Sequence, residues 1–252
     1  MDKEWQDEDI GTTIPELSLV ILCYKEGEAV RGFVAKTIRL LEENGILDYE
    51  LVLVGNYHEG TGDITPQVVS ELAAIHPKIF HSAKPKQGMM GWDMKSGLDL
   101  TSGNYIAVID GDGQFQISDV VKVYRKISEA GLDLVKTHRL TRGDGWLRRL
   151  ISFKFNLISR VLFPGIKSKD INAKPKIFSR QAYQKMKLTS DDWFIDAEIM
   201  IQARRYGFKV EEIPTTFSGL TGRRSFINFN SLLEFIRNLL KARLAEFKHK
   251  KR

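Results

Sequence analysis

Apolar residues recur along the chain in two alternating rhythms, and the alternation predicts a sheet with helices between its strands. Short, mainly apolar runs fit buried strands at Leu17–Leu22, Glu50–Val54, Lys78–His81, Tyr105–Ile109 and Leu134–Thr137. Between them, apolar positions fall at helical spacing over Ala29–Asn44, Thr65–Ile75, Gly91–Leu100 and Ser118–Ala130, the last with Ser118 as its predicted N-cap. Strand-helix alternation with near-continuous apolar strands predicts the α/β class, a mainly parallel sheet covered by helices on both faces. Ligands in such sheets bind beyond the carboxyl ends of the strands, so the loops after Val54 and Ile109 are where chemistry is expected.

The flanks follow other patterns. Residues 1–15 are acidic and aperiodic and read as a loose arm before a domain over 16–229. From Trp146 to Phe163 the period is helical, with Leu147, Leu150, Ile151, Phe155, Ile158, Val161 and Leu162 on one side and Arg148, Arg149, Lys154 and Arg160 interspersed. That pattern suits either a helix packed on the domain or an interfacial helix in a headgroup layer. Residues 230–252 carry a Leu/Phe/Ile stripe ending in Lys248, Lys250, Lys251 and Arg252. They read as an amphipathic C-terminal helical extension whose basic end is either solvated or drawn to anionic lipid. With no cleavable leader and no apolar run of about 18 residues, the expectation is a cytoplasmic chain that neither is secreted nor spans a bilayer. Attachment to the cytoplasmic face of a membrane would then be peripheral, through basic amphipathic helices, or through a membrane-protein partner or a homo-oligomer.

Composition narrows the partners. At 252 residues and 42% hydrophobic content the chain can fill one substantial core. Its 38 basic and 32 acidic residues leave a net charge of +6, which favours anionic partners. The basic residues are not interleaved with aromatics as stacking platforms would be, so nucleic acid is not expected among them. The single Cys23 excludes an intramolecular disulfide and a thiolate zinc site. No P-loop signature occurs, and the ligand series of an EF-hand is absent.

The sharpest local signal is Ile109-Asp110-Gly111-Asp112-Gly113-Gln114, directly after an apolar strand. Two carboxylates one residue apart at a strand end, with glycines beside them, can face one crevice and admit a ligand close to the backbone. Hard oxygen ligands suit Mg²⁺ or Mn²⁺, which keep several waters and bridge to substrate phosphates. Gly88-Met89-Met90-Gly91 opens a helix whose N–H groups suit an anion. Arg139 and Arg142, after the Leu134 strand, suit an acceptor phosphate or are simply exposed loop charges.

The order of these pieces resembles the family-two glycosyltransferases with the GT-A fold, particularly the dolichol- or polyprenyl-phosphate sugar synthases, from about Leu17 to Phe226. Val20 to Glu26 is similar to the family's opening strand and "P-x-Y-N-E" loop, keeping Tyr24 and Glu26, and Asp110-x-Asp112-x-Gln114 matches "D-x-D-x-Q". Trp193 to Glu198 looks like the acidic motif of the acceptor side, and Glu212-Ile213-Pro214 with Gly222-Arg223-Arg224-Ser225 resembles the strand and basic loop that close over the diphosphate. The resemblance implies inverting transfer of a sugar from a nucleoside-diphosphate sugar to a lipid phosphate. It places Asp110, Asp112 and Gln114 on the metal and in catalysis, with Asp196 as the first candidate base for a hydroxyl acceptor. Tyr24, Glu26, Asn56, Gly88, Asp110 and Arg224 would hold the nucleotide, and Arg139, Arg142, Arg223 and Ser225 the acceptor.

Two departures stand out. Gly55-Asn56 follows the second strand where the family has two aspartates, and Asn56 offers a base edge both a donor and an acceptor. Asp170 to Lys176 carries Lys174 and Lys176 in a stretch more often small or apolar, as anion contacts or surface charges. A soluble or polysaccharide acceptor, and a catalytically silent nucleotide-binding or scaffolding relative, remain as alternative readings.

Overall fold

The first strand, β1 (Leu17–Leu22), is buried along its whole length. Alternation sends Leu17, Leu19 and Ile21 into one apolar cluster and Val20 and Leu22 into another on the opposite face. The computed structural model describes residues 14–142, 156–218 and 229–250. After β1 come α1 (Ala29–Glu43), β2 (Tyr49–Val54), α2 (Thr65–Ile75), β3 (Ile79–Ser82), α3 (Met90–Leu98), β4 (Tyr105–Asp110), α4 (Ser118–Ala130) and β5 (Leu134–Arg142). Then follow α5 (residues 156–162), β6 (Lys176–Ser179), α6 (Arg180–Lys185), α7 (Ile195–Arg205), β7 (Val210–Phe217) and α8 (Phe229–Lys250).

The strands form one sheet in the order β3-β2-β1-β4-β6-β5-β7. All neighbouring pairs are parallel except those of β6, which runs antiparallel to both β4 and β5. The sheet is therefore mixed through a strand that periodicity did not predict. A four-residue strand entered through Asp170-Ile171-Asn172-Ala173-Lys174-Pro175 has too few apolar positions to stand out from a loop. The Ser118 cap is also corrected. Ile117 occupies the cap position of α4 without a side-chain hydrogen bond, and Ser118 is already helical. Of the expected Trp146–Phe163 helix, residues 143–155 lie outside the described residues, as do 1–13.

Two cores sandwich the sheet. One gathers Val30, Val34 and Leu41 of α1, Val68, Val69 and Leu72 of α2, and Val120, Val123 and Ile127 of α4. The other gathers Met94 and Leu98 of α3, Ile195, Ile199 and Met200 of α7, and Phe235 and Leu239 of α8. Each fully buried side chain of this size contributes about 2 kcal/mol relative to exposure. The C-terminal helix is thus docked on the sheet by Phe235 and Leu239. Helix α3 lies unusually close to the strands, since a Cβ at Gly97 would sit 2.6 Å from Val20 Cγ1 and from Val54 Cγ2.

Candidate functional site

Progress across the sheet reverses between β1 and β4. The chain builds outward from β1 through β2 to β3, then returns to place β4 on the other side of β1. This is the switch point where loops diverge and leave a crevice at the carboxyl ends. Register pairs Leu22, the last residue of β1, with Asp110, the last residue of β4. The loops Tyr24-Lys25-Glu26 and Gly111-Asp112-Gly113-Gln114 therefore leave the sheet side by side. Lys25 holds a left-handed φ of 58°, a conformation that costs a side-chain-bearing residue about 1 kcal/mol or more and is over-represented at ligand-binding loops.

Asp112 is the electrostatic centre of the crevice. Burial, then the neighbouring Asp110, then more weakly Glu26, push its carboxyl from 3.8 up to about 6, against a hydrogen bond from Gln114 N and the charge of Lys174. The bond from Gln114 N to Asp112 Oδ1 measures 3.0 Å and shapes the turn. Gln114 is tied to the end of β7, with Ser218 N donating to its carbonyl at 3.0 Å and its Nε2 donating to Ser218 O at 3.3 Å. Phe115 and Phe217 pack edge to face at 5.0 Å beneath this joint. The chain thus leaves β7 beside Gln114, but Arg223, Arg224 and Ser225 lie outside the described residues, as does the side chain of Arg142.

A divalent cation fits this donor set. Desolvated like charges at Asp110 and Asp112 are relieved by a cation, and carboxylate and amide oxygens are hard ligands of the type Mg²⁺ and Mn²⁺ prefer. Among the described residues no three His, Cys, Asp or Glu side chains converge on a metal position. The protein can supply two carboxylates and the amide of Gln114, and water and substrate oxygens would complete the shell.

The hydrogen-bond network already engages several of the expected contact residues. Asn56 is 1% exposed and its amide is fully used, donating to Asp93 Oδ1 at 3.0 Å and Ser96 Oγ at 2.8 Å and accepting from Ser82 Oγ at 2.9 Å and Lys84 N at 3.0 Å. It braces β2 and the residues after β3 against α3 and has no capacity left for a base edge. At the Gly88 turn three of the N–H groups are already engaged, Met89 N and Trp92 N donating to Asp191 O and Gly91 N to Asp192 O. Gly88 is small because a Cβ there would lie 2.7 Å from Trp92 Cβ. Arg139 is held by Asp170, with Nε to Oδ2 at 2.6 Å and Nη2 to Oδ1 at 2.9 Å, and lies over the Phe115 and Phe217 rings. A guanidinium clamped this way is positioned by the fold rather than presented to an acceptor.

Asp196, at the start of α7, is also redirected. It is 1% exposed and paired with Lys176 Nζ at 2.5 Å and Lys174 Nζ at 3.7 Å. Neither lysine is a surface charge. Register pairs Lys176 with Val108, so two residues further along the antiparallel pair Lys174 comes to Asp110. Lys174 Nζ lies 3.1 Å from Asp110 Oδ1 and 3.2 Å from Oδ2. Burial opposes its charge, but Asp110 and Asp196 outweigh that and hold the ammonium above its ordinary value. For Lys176 burial wins and lowers it to about 8. Lys136, paired across the strands with Lys176, completes the row and meets Glu212 Oε1 at 3.1 Å. Sequence reasoning missed this row. Its signal is two lysines at strand period beside an apolar Ile177-Phe178 pair, which puts both charges on one buried face and demands carboxylates opposite.

Around Tyr24, Lys86 Nζ lies 4.2 Å and Lys25 Nζ 5.4 Å from the ring centroid, and His58 meets the ring edge-on at 6.2 Å. Lys86 also pairs with Asp93, which ties the loop after β1 to α3. Cys23, buried at the end of β1, is pushed well above the ordinary thiol range by burial and is an inert core residue.

A mixed α/β sheet with paired carboxylates at its switch point, helices on both faces and a docked C-terminal helix defines a GT-A glycosyltransferase. The chain belongs to Glycosyl transferase family 2, whose profile matches residues 18–190. It is 24% identical over 243 residues to a dolichyl-phosphate beta-glucosyltransferase of Trichomonas vaginalis, covering 89% of this chain and 72% of that protein. A dolichyl-phosphate beta-glucosyltransferase of Dictyostelium discoideum is 23% identical over 246 residues, covering 90% and 73%. Among solved structures, glucosyl-3-phosphoglycerate synthase of Mycobacterium tuberculosis, crystallised with Mn²⁺, UDP-glucose and phosphoglyceric acid, superposes with a TM-score of 0.64 at 16% identity. That superposition covers 91% of this chain and 79% of the other.

Proposed function

We propose that this glycosyltransferase moves a hexose, with inversion, from a nucleoside-diphosphate sugar to a polyprenyl or dolichyl phosphate at a membrane surface. The observation that carries the reading is Asp110 and Asp112 at the switch point, beside the Tyr24 to Glu26 loop, in a chain similar along most of its length to dolichyl-phosphate glucosyltransferases. Bound Mg²⁺ or Mn²⁺ would supply charge neutralisation for the departing diphosphate. Asp110, Asp112 and Gln114 would hold that ion at the end of β4, beside the loop after β1, where the donor's phosphates would meet it. The acceptor oxygen must approach the anomeric carbon from the face opposite the diphosphate, so positioning does most of the chemistry. The pairing of Asp196 with two lysines supports an acceptor that is already anionic, because such an acceptor needs no strong base.

The membrane surface is supported by apolar side chains turned outward on two neighbouring helices. Val161 on α5 is 69% exposed and Leu244 on α8 is 62% exposed. Arg243 of α8 lies 5.8 Å from the ring of Phe163, the residue after α5. No helix among the described residues is long and apolar enough to cross a membrane.

The test is transfer from a panel of labelled nucleoside-diphosphate hexoses to a short polyprenyl phosphate in detergent, with Mn²⁺. Label should enter the organic phase with one donor, and Asp112→Ala should lower turnover at least about 100-fold with an unchanged circular dichroism spectrum. Transfer only to a water-soluble acceptor, or full metal-dependent turnover in the variant, would overturn the reading.

A further inference from the structure

Lys174 stands out because its ammonium occupies the inner side of the carboxylate pair assigned to the cation. Both Asp110 oxygens face it, at 3.1 and 3.2 Å, and Asp196 Oδ2 lies at 3.7 Å. Met90 Sδ, at 3.2 Å, is a further neighbour on the nitrogen. The Lys174 side chain is 3% exposed, whereas that of Asp110 is 27% exposed. The ammonium therefore reaches Asp110 from the interior, and a solvent ion would reach the same carboxylate from the crevice. A buried ammonium costs several kcal/mol unless paired, so a lysine here is retained only with its carboxylates in place.

We propose that Lys174 is a positioning residue that acts as a built-in counter-cation of the metal centre. It clamps Asp110 and neutralises half of the Asp110/Asp112 pair, leaving Asp112 as the dominant charge toward a divalent ion. The site then binds metal weakly by itself and tightly only when a diphosphate brings further oxygens. Lys176 holds Asp196 in place on the far side, so that Asp196 cannot swing to replace Asp110 as the partner of the incoming ion. The inference rests on the reading of Asp110 and Asp112 as a cation site.

The experiment is titration of the full chain with Mn²⁺ alone, following the free-ion electron paramagnetic resonance signal. Lys174→Met removes the ammonium and should tighten Mn²⁺ binding at least about tenfold, because one fixed positive charge a few ångströms from a divalent ion is strongly repulsive even when well screened. Lys174→Arg, which keeps the charge, should stay within about twofold of the wild type. A merely structural lysine would move affinity the other way, since a loosened site binds less. Unchanged or weaker binding in Lys174→Met overturns the proposal while leaving the cation site standing. Absence of Mn²⁺ binding in wild type and Lys174→Met alike would instead sink the cation site itself and the inference with it. If Lys174→Met does not fold, Lys174→Gln, which removes the charge but keeps a hydrogen-bond donor toward Asp110, carries the same test. Loss of the fold in both assigns Lys174 to holding the sheet and overturns the proposal.

Discussion

At Asp112 the carboxyl sits near 6 because burial and the adjacent Asp110 both oppose its ionisation. Raised above its ordinary value, the group keeps a proton in the folded protein that it loses in the unfolded one, between about pH 4 and pH 6. The unfolded state binds fewer protons in that window, so stability conferred below it is lost as pH rises through it. In metal-free protein the denaturation midpoint should therefore fall from pH 4 to pH 6 more steeply than in Asp112→Asn, and saturating Mn²⁺ should flatten the wild-type curve. Parallel curves for wild type and variant would show that Asp112 is solvated as an ordinary carboxylate. The aspartate pair was legible because it is local: the end of a strand, a turn and two carboxylates lie within the six residues Ile109 to Gln114. The bracing role of Asn56 was not legible because its four partners come from Ser82, Lys84, Asp93 and Ser96, up to forty positions away. Nothing in the chemistry of an isolated amide says whether it is already occupied.

Elements carry a different kind of information, namely how closely backbones approach. Helix α3 reaches β1 and β2 at Gly97 with no room for a methyl group. Gly97→Ala should cost about 1–3 kcal/mol through overpacking, readable as a lower midpoint in urea. Gly32→Ala in α1, where an added Cβ meets nothing within 4 Å, should stabilise by about 0.5–1 kcal/mol. Equal effects at the two glycines would mean that α3 is not docked as tightly as its contacts show. Helical and strand periods were readable because α1 to α4 each bury one face and β1, β2 and β4 are buried along nearly their whole length. Strand β6 was not readable, since Lys176 at its start and Lys174 just before it are buried by partners on α7 and β4 rather than by any apolar pattern of their own.

On the scale of the whole molecule, α8 and the end of α5 adjoin the same core, where Phe163 lies with Phe235 and Leu239 and carries Arg204 and Arg243 over its ring, and both helices expose apolar side chains. Leu240→Ser with Leu244→Ser removes exposed apolar surface from α8 while leaving the core contacts of Phe235 and Leu239. The double variant should float several-fold less with anionic liposomes and keep its melting temperature. Equal flotation would place membrane contact elsewhere on the protein. The amino-acid sequence by itself determined the alternation of strands and helices, the class of fold and the position of the acidic pair, because each is written in neighbouring residues with a fixed period. Which charged groups are already engaged emerged from the folded sheet alone, because occupancy depends on what the sheet brings opposite. An antiparallel strand inserted between β4 and β5 set two lysines against Asp110 and Asp196, and no local pattern encodes that encounter.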